Sequence, residues 1–288
     1  MATPPAPAGA QRPAAAWDPA QYLRFSDQRL RPALDLLGQV PLTSPERVVD
    51  LGCGAGNVTA ILKQRFAAAE VTGVDGDAAM LEKARVAAPG CRFEQGDFAT
   101  WLPPGWPPGG PSGQRAGQVS GQHAGSLDLI YSNAALQWVG GHATLFPRLI
   151  SLLAPGGVLA VQMPAMHDAP LRRLQYVVAA QGPWAERLAS HASAPPILDA
   201  AGYWDLLRPL AARLDIWETT YLHPLVGEDA VVEWAAGSSL RPFLEPLEPA
   251  HQAAFRRAYA EALRPHYPRR ADGTTLLPFR RLFLMAVV

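Results

Sequence analysis

The segment VVDLGCGAGNVTA, residues 48–60, constrains the fold more than any other part of the sequence. An apolar run ends in three closely spaced glycines, and a stretch with helical spacing of apolar residues follows. Glycine is the residue that readily adopts the left-handed backbone of a tight strand-to-helix turn. The segment therefore predicts a buried parallel strand, a glycine turn and a helix, a unit that holds several kinds of cofactor.

Strands and helices alternate through the first half of the chain. The predicted strands are 47–52, 70–77, 91–98, 127–133 and 156–164. The predicted helices are 18–38, 57–66, 78–90 and 144–157. Within 18–38, Pro32 is expected to open a second short helix. This alternation is typical of a parallel sheet wound on both faces. Two later runs, LDIWETTYLHPL at 214–225 and FRRLFLMAVV at 279–288, are predicted as strands, the last of them inside the sheet.

The remaining segments predict a tail, an insertion and a cap. We expect residues 1–16, rich in Pro and Ala, to be disordered and residues 17–288 to form a single domain. Residues 103–126 consist mostly of Pro, Gly, Ser and Gln, which predicts a disordered surface loop. Helical segments within 165–212 and 224–270 are expected to cap the carboxyl ends of the strands, where open α/β sheets bind ligands.

The composition excludes several classes of partner. Lys plus Arg equals Asp plus Glu at 25 each, so no global field attracts nucleic acid or an anionic membrane, and two cysteines are too few for a disulfide framework. We expect a cytoplasmic monomer that acts on a small molecule. The sequence predicts no metal site. Four histidines show no spacing typical of metal ligands and are expected at the surface or in the cap: His142, His167, His251 and His266.

The glycine pattern distinguishes between cofactors. A dinucleotide fingerprint has a third glycine where Asn57 stands here, and an acidic residue, Asp50, lies two positions before Gly52. The pattern D-x-G-x-G-x-G resembles that of class I S-adenosylmethionine methyltransferases. The resemblance implies S-adenosylmethionine as cofactor and a Rossmann-like, doubly wound, mostly parallel seven-stranded sheet with an antiparallel last strand.

Carboxylates at successive strand ends agree with this cofactor. Asp75 ends the second strand, where a carboxylate can accept the ribose hydroxyls, and Asp97 with Phe98 follows the third, suited to the adenine. Tyr22 and Arg29 are expected to close over the methionine carboxylate. The remaining expected cofactor-binding residues are Gly52, Cys53, Gly54, Gly56, Asn57, Gly76, Met80 and Asn133, together with Asp50.

The later segments carry a closer resemblance. FSDQRLRPALDLL, SNAALQWV, LFPRLISLLAPGGVLAVQMP, LDIWETTYLHPL, VVEWAAGSSLRPFLEPL and YPRRADGTTLLPFRRLFLMAV resemble the trans-aconitate 2-methyltransferase family. The resemblance implies methylation of one carboxylate of trans-aconitate, and members of this family usually connect the third and fourth strands briefly. The insertion at 103–126 therefore departs from the family pattern.

A carboxylate acceptor requires positioning more than proton transfer. A carboxylic acid with a pKa near 4 is ionised at neutral pH, so we expect no catalytic base. Side chains that fix the other carboxylates are expected instead, with Arg241 binding substrate in preference to a protein acid. The other expected substrate-binding residues are Gln137, Trp138, Tyr203, Tyr221, His223 and Trp234. Arg280 and Arg281 face opposite sides of the last strand, and only one of them can point inward.

Two other functions are compatible with part of this pattern. The chain could methylate another small carboxylate, such as a malonyl thioester on a carrier protein, for which a basic docking face would be expected. It could also be a catalytically silent cofactor-binding module. A nucleic-acid methyltransferase would need a characteristic tetrad or a Pro-Cys nucleophile after the fourth strand, and SNAALQWV has neither.

Overall fold

The computed structural model describes residues 30–104, 106, 126–189, 197–237 and 239–288. These residues form a seven-stranded sheet in the order β3-β2-β1-β4-β5-β7-β6. The strands are β1 (Arg47–Leu51), β2 (Glu70–Asp75), β3 (Arg92–Gln95), β4 (Leu127–Asn133), β5 (Leu153–Pro164), β6 (Arg213–Val226) and β7 (Thr274–Val287). β7 runs antiparallel to both of its neighbours, which confirms the predicted sheet.

Ten α-helices connect these strands within the described residues. They are α1 (Arg31–Gln39), α2 (Asn57–Arg65), α3 (Ala78–Ala87), α4 (His142–Ser151), α5 (Pro170–Ala179), α6 (Ala185–Leu188), α7 (Ala200–Leu207), α8 (Ala230–Ala236), α9 (Arg241–Leu244) and α10 (Pro249–Leu263). The order of strands reverses between β1 and β4, which makes the carboxyl end of β1 the switch point where such sheets bind ligands. Among the described residues, no helix combines the length and the apolar character needed to span a bilayer.

The sheet is covered on both faces, as the nearly continuous burial along its central strands indicates. Leu36 of α1 and Leu62 of α2 pack with Tyr131 and Phe283 on one face. α4 and α7 pack on the opposite face, where Phe146 and Tyr203 contact the same core as Leu284. Pro32 lies in the first turn of α1, as predicted, where a missing backbone N–H costs nothing.

The last two strands extend beyond the rest of the sheet. Pairing of β5 with β7 ends at Pro164 and Arg281, whereas β6 and β7 continue to pair from Thr220–Arg280 out to Val226–Thr274. This two-stranded ribbon projects past the carboxyl edge of the parallel strands. A second apolar cluster, which we call the cap cluster, packs against it and is formed by α5, α6, α8, α9 and α10 with Leu277.

Three expectations require correction. The helix expected at 144–157 ends at Ser151, and β5 begins at Leu153, because Leu153 already pairs with Leu127 and Gly156 has a left-handed φ of +80° that a helix does not allow. α7, which lies within the expected cap, packs on the sheet instead. His142 is buried rather than at the surface, because its ring bonds to the Tyr203 hydroxyl at 2.5 Å. The tail and most of the insertion lie outside the described residues.

Candidate active site

Backbone hydrogen bonds attach the glycine turn to the end of β2. The backbone N–H groups of Gly52 and Cys53 donate to the Val74 carbonyl at 2.8 and 3.0 Å. The Gly54 N–H donates to Asp75 Oδ2 at 2.8 Å, and Asp77 N–H donates to Oδ1 at 2.9 Å. Each carboxylate oxygen of Asp75 keeps a further lone pair, so the group can still accept a ligand hydroxyl.

The three glycines are required for different reasons. All have left-handed backbones, with φ of +84° at Gly52, +52° at Gly54 and +82° at Gly56. A Cβ added at Gly52 would lie 2.1 Å from the Ala135 side chain, and one at Gly56 would lie 2.8 Å from the Ala84 backbone. The Cβ position at Gly54 has nothing within 4 Å. Of the three, Gly54 alone therefore leaves open space at its Cβ position.

Asp50 lies beneath the turn and is almost completely buried. Its Oδ2 accepts a hydrogen bond from the Thr59 hydroxyl at 2.6 Å. Burial raises the pKa of Asp50 to about 7, the Thr59 bond opposes that rise, and the nearby Asp75 charge adds to it. Asp50 is thus a supporting residue of the turn that has no open surface toward a ligand.

An open cleft lies beside the turn at the ends of β2 and β3. Its volume is about 370 Å³, and it is lined by Gly76, Gln95, Gly96, Asp97, Phe98 and Val139. The carboxylate of Asp97 accepts from the Ala99 backbone N–H at 2.9 Å. An aromatic face, a carboxylate and an aliphatic wall around one cleft suit the planar, amino-bearing adenine ring of S-adenosylmethionine.

The segment after β4 forms the middle of the carboxyl edge. Ala134 has φ of +54°, a strained conformation for a residue with a Cβ, and such strain is concentrated at functional sites. The Oδ1 of Asn133 and the Oε1 of Gln137 are buried and have no hydrogen-bond partner among the described residues. Trp138 is 56% exposed beside them. These groups are available to a ligand that reaches across from the glycine turn.

The far side of the edge carries a buried cation. Arg281 is 4% exposed, its guanidinium lies 4.5 Å from the centre of the Phe279 ring, and Nη1 approaches Gln162 Oε1 at 3.4 Å. Arg280 points to the opposite face, where it donates to the Ala165 carbonyl and to Asp168. The structure therefore selects Arg281 as the inward arginine. Since adjacent strands are about 4.8 Å apart, β7 lies roughly 10 Å from β4.

The structure brings three of the expected substrate residues to the base of the ribbon, near Arg281. Tyr221 and His223 are buried on one side of β6, and the His223 ring stacks on Trp234 with 4.9 Å between ring centres. The Tyr221 hydroxyl donates to Asp35 of α1 at 2.6 Å. Tyr221 therefore joins the first helix to the ribbon, while His223 and Trp234 form an aromatic wall beside it.

Two of the expected substrate residues lie elsewhere. Tyr203 is fully buried in the sheet core and bonds to His142, so it has no surface that a substrate could contact. The Arg241 side chain is 73% exposed and pairs with Glu245 at 2.5 Å. The choice of Arg241 as a substrate anchor is therefore not supported, since it pairs with a protein acid, the alternative that we considered less favourable.

The other expected cofactor residues differ in accessibility. Cys53 is buried within the turn, Asn57 is exposed at the start of α2, and Met80 is 38% exposed on α3. Burial raises the pKa of the Cys53 thiol further above neutrality. Tyr22 and Arg29 lie outside the described residues.

Sequence reasoning missed Gln162 and Arg148. Gln162 is a fully buried polar residue within an otherwise apolar strand, which was a visible signal. Arg148 lies on α4 next to the buried Leu145 and Leu149, and it donates to the carbonyls of Phe98 and of Trp101, the latter at 2.7 Å. An arginine beside the apolar stripe of a helix was the available signal there.

Comparison with known proteins adds to this geometry. Residues 22–208 match a family model described as a methyltransferase domain. Trans-aconitate 2-methyltransferases from Paracidovorax citrulli and Methylobacterium radiotolerans are 47% and 48% identical to this chain, with 94% of this chain and 97% of each relative aligned.

Solved structures share the fold at low identity. The YcgJ protein of Bacillus subtilis has a TM-score of 0.56 at 15% identity, covering 89% of this chain and 98% of its own. A Haemonchus contortus phosphoethanolamine N-methyltransferase 2 in complex with S-adenosyl-L-methionine has a TM-score of 0.50 at 15% identity, covering 89% of this chain and 52% of its own. This chain thus shares its fold with these proteins.

We predict that alanine at Gly54 and at Gly56 will have separable effects. Gly56→Ala should reduce the free energy of unfolding by about 2–4 kcal/mol, because it combines a left-handed alanine with a clash against α3. Gly54→Ala should cost only about 1–2 kcal/mol but weaken binding of S-adenosylhomocysteine about tenfold or more. Denaturant unfolding and calorimetry of both variants test this, and equal losses of affinity would contradict it.

We predict that Asp50→Asn will reduce the pH dependence of stability. An acid whose pKa is raised on folding binds more protons when folded, so its contribution falls as pH rises from about 4, the unfolded value, through about 7. Asparagine still accepts the Thr59 bond and carries no charge. The melting temperature of the variant should therefore exceed that of wild type at pH 8 and converge with it near pH 4; parallel curves would contradict the assignment.

Proposed function

The chain belongs to the methyltransferase-domain family, and from this premise we propose that it methylates a carboxylate of trans-aconitate, using S-adenosylmethionine and releasing S-adenosylhomocysteine and the monomethyl ester. One observation carries the proposal: eight curated relatives named trans-aconitate 2-methyltransferase are 43–48% identical over 94% of this chain and 97–98% of their own length. A match that includes the cap segments supports a shared acceptor as well as a shared cofactor.

The described residues fit S-adenosylmethionine along the first half of the carboxyl edge. Asp97 and Phe98 would hold the adenine in the cleft, Asp75 the ribose hydroxyls, and the open space at Gly54 with Asn133 the amino-acid end. When bound, the cofactor supplies a methyl group activated by its sulfonium charge. The residues of the turn orient the ligand through backbone geometry and provide no catalytic side chain.

The acceptor needs no deprotonation by the protein. Carboxylic acids titrate near pH 4, so the substrate arrives ionised and a general base has no proton to remove. Orientation of two bound reactants can contribute up to about 7–11 kcal/mol toward the barrier. The contribution of this chain is therefore to hold the other carboxylates so that one oxygen faces the cofactor site.

Arg281 is our proposed anchor for such a carboxylate. A guanidinium presents a planar fork that matches a carboxylate, and a buried charge-assisted bond is worth about 1.5–3 kcal/mol. Arg281 lies on β7 opposite Pro164, at the carboxyl end of β5, about two strands beyond the Asn133 end of β4. His223 and Trp234 would form the adjoining wall, and Gln137 and Trp138 the side toward the cofactor.

The enzyme is proposed to act in the cytoplasm as a monomer on a free small molecule and without nucleic acid. Cys53 and Cys91 are both free thiols, in accord with a reducing compartment. The formal net charge of 0 gives no general attraction for polyanions.

A substrate panel tests the proposed reaction. Purified enzyme with labelled S-adenosylmethionine should methylate trans-aconitate with a higher kcat/KM than citrate, fumarate, crotonate or malonyl thioesters, and mass spectrometry should identify a monomethyl ester. Binding of cofactor without turnover of any acid would instead support a silent binding module. A preference for a malonyl thioester would identify the alternative carboxyl methyltransferase.

We predict that Arg281→Gln will raise KM for trans-aconitate about tenfold to a hundredfold, because it removes one charge-assisted contact. Affinity for S-adenosylhomocysteine should be unchanged, and Arg281→Lys should recover part of the loss. Arg280→Gln is the matched control on the opposite face and should leave KM near the wild-type value. Equal effects of the two glutamine variants would exclude Arg281 as the anchor.

A further inference from the structure

The wall of the cleft that carries Phe98 is a short loop after β3. Within it, the backbone N–H groups of Thr100 and Trp101 donate to the Asp97 carbonyl at 3.0 and 2.7 Å. The Trp101 indole donates to Glu94 at 2.9 Å, and its ring packs so closely on Gly96 that an added Cβ there would lie 2.7 Å from it. The start and end of the loop are therefore tightly held, while its middle depends on other contacts.

The Asp97 carboxylate holds the Ala99 N–H, and a side chain on a different element adds further contacts. Arg148 of α4 extends its guanidinium to the loop, where Nη1 donates to the Trp101 carbonyl at 2.7 Å and Nη2 donates to the Phe98 carbonyl. Burial lowers the pKa of Arg148, and the nearby Asp97 carboxylate opposes that shift. One planar fork thus satisfies two backbone acceptors three residues apart, a geometry that an ammonium group cannot reproduce.

The support behind Arg148 is rigid. α4 is anchored in the sheet core by Leu145, Phe146 and Leu149, each at most 4% exposed. The helix follows the segment after β4 that contains Val139, which lines the cleft opposite Phe98. Arg148 therefore connects the two walls of the same cleft through the protein core.

The loop also borders the inserted segment. Residues 103–126 begin two positions after Trp101. Two carbonyls of the Phe98–Trp101 stretch are fixed immediately before the chain enters this insertion. The position of Phe98 is then set by α4 rather than by the chain that follows.

We propose that Arg148 is a positioning residue for the cofactor: it clamps the Phe98–Trp101 loop to α4 and thereby sets the width of the adenine cleft. The proposal rests on the cofactor half of the proposed function and is independent of the acceptor. The clamp acts on the adenosine moiety alone, because the methionine end is held by the glycine turn and by β4. Loss of the clamp should accordingly affect cofactor binding without affecting the acceptor.

Calorimetry with S-adenosylhomocysteine tests the clamp directly. Arg148→Met should raise the dissociation constant about tenfold or more, and 5′-methylthioadenosine, which keeps only the adenosine half, should lose affinity by the same factor. KM for S-adenosylmethionine should rise correspondingly, whereas kcat and KM for trans-aconitate should stay within about twofold of wild type. Arg148→Lys should retain one carbonyl bond, so its dissociation constants should lie between those of wild type and of Arg148→Met.

Arg208→Met is the matched control. Arg208 likewise donates to a backbone carbonyl, that of Ala211 at 2.9 Å, but it follows α7 and is not a cleft residue. Its replacement should leave both dissociation constants unchanged. A folded Arg148→Met or Arg148→Lys protein with wild-type affinity for S-adenosylhomocysteine would overturn the clamp alone. Failure of the wild-type protein to bind S-adenosylhomocysteine would overturn the cofactor assignment together with it.

Discussion

The hydrogen bond from the Gly54 N–H to the Asp75 carboxylate is the contact on which the cofactor half of the molecule depends. It joins the turn after β1 to the end of β2, and the donation of two further turn N–H groups to Val74 reinforces it. The left-handed backbone of the turn is what directs these N–H groups toward the neighbouring strand. A carboxylate suited to ribose hydroxyls and an unobstructed glycine are thereby held side by side.

Charge is arranged locally in this protein, because the chain as a whole is neutral. Two guanidinium groups lie near opposite ends of the carboxyl edge, half-buried at Arg148 and buried at Arg281. Burying a cation is costly unless it is well paired, so each position requires a specific partner. Arg148 donates to the carbonyls of Phe98 and Trp101, and Arg281 contacts Gln162 and Phe279, beside which we propose that it also binds a substrate carboxylate.

Much of the fold could be predicted from the sequence, because apolar runs bounded by glycines are a local signal. Alternation within one strand places Tyr221 and His223, two residues apart, on the same side of β6. The choice between Arg280 and Arg281 could not be predicted, since it depends on which side of β7 faces the core. Tyr203 and His142 were misplaced for a similar reason: their polar atoms bond to each other across 61 residues of sequence.

The residues that we propose for the acceptor lie apart from those that we propose for the cofactor. The proposed aromatic wall lies on the ribbon of β6 and β7. The cap cluster that packs against this ribbon is distinct from the sheet core, and the Tyr221–Asp35 hydrogen bond attaches α1 to the same ribbon. No described hydrogen bond joins these groups to the glycine turn, to Asp75 or to the Phe98–Trp101 loop. Substitutions in the cap cluster would therefore change the proposed acceptor side while the hydrogen bonds of the glycine turn and of the Phe98–Trp101 loop stay in place.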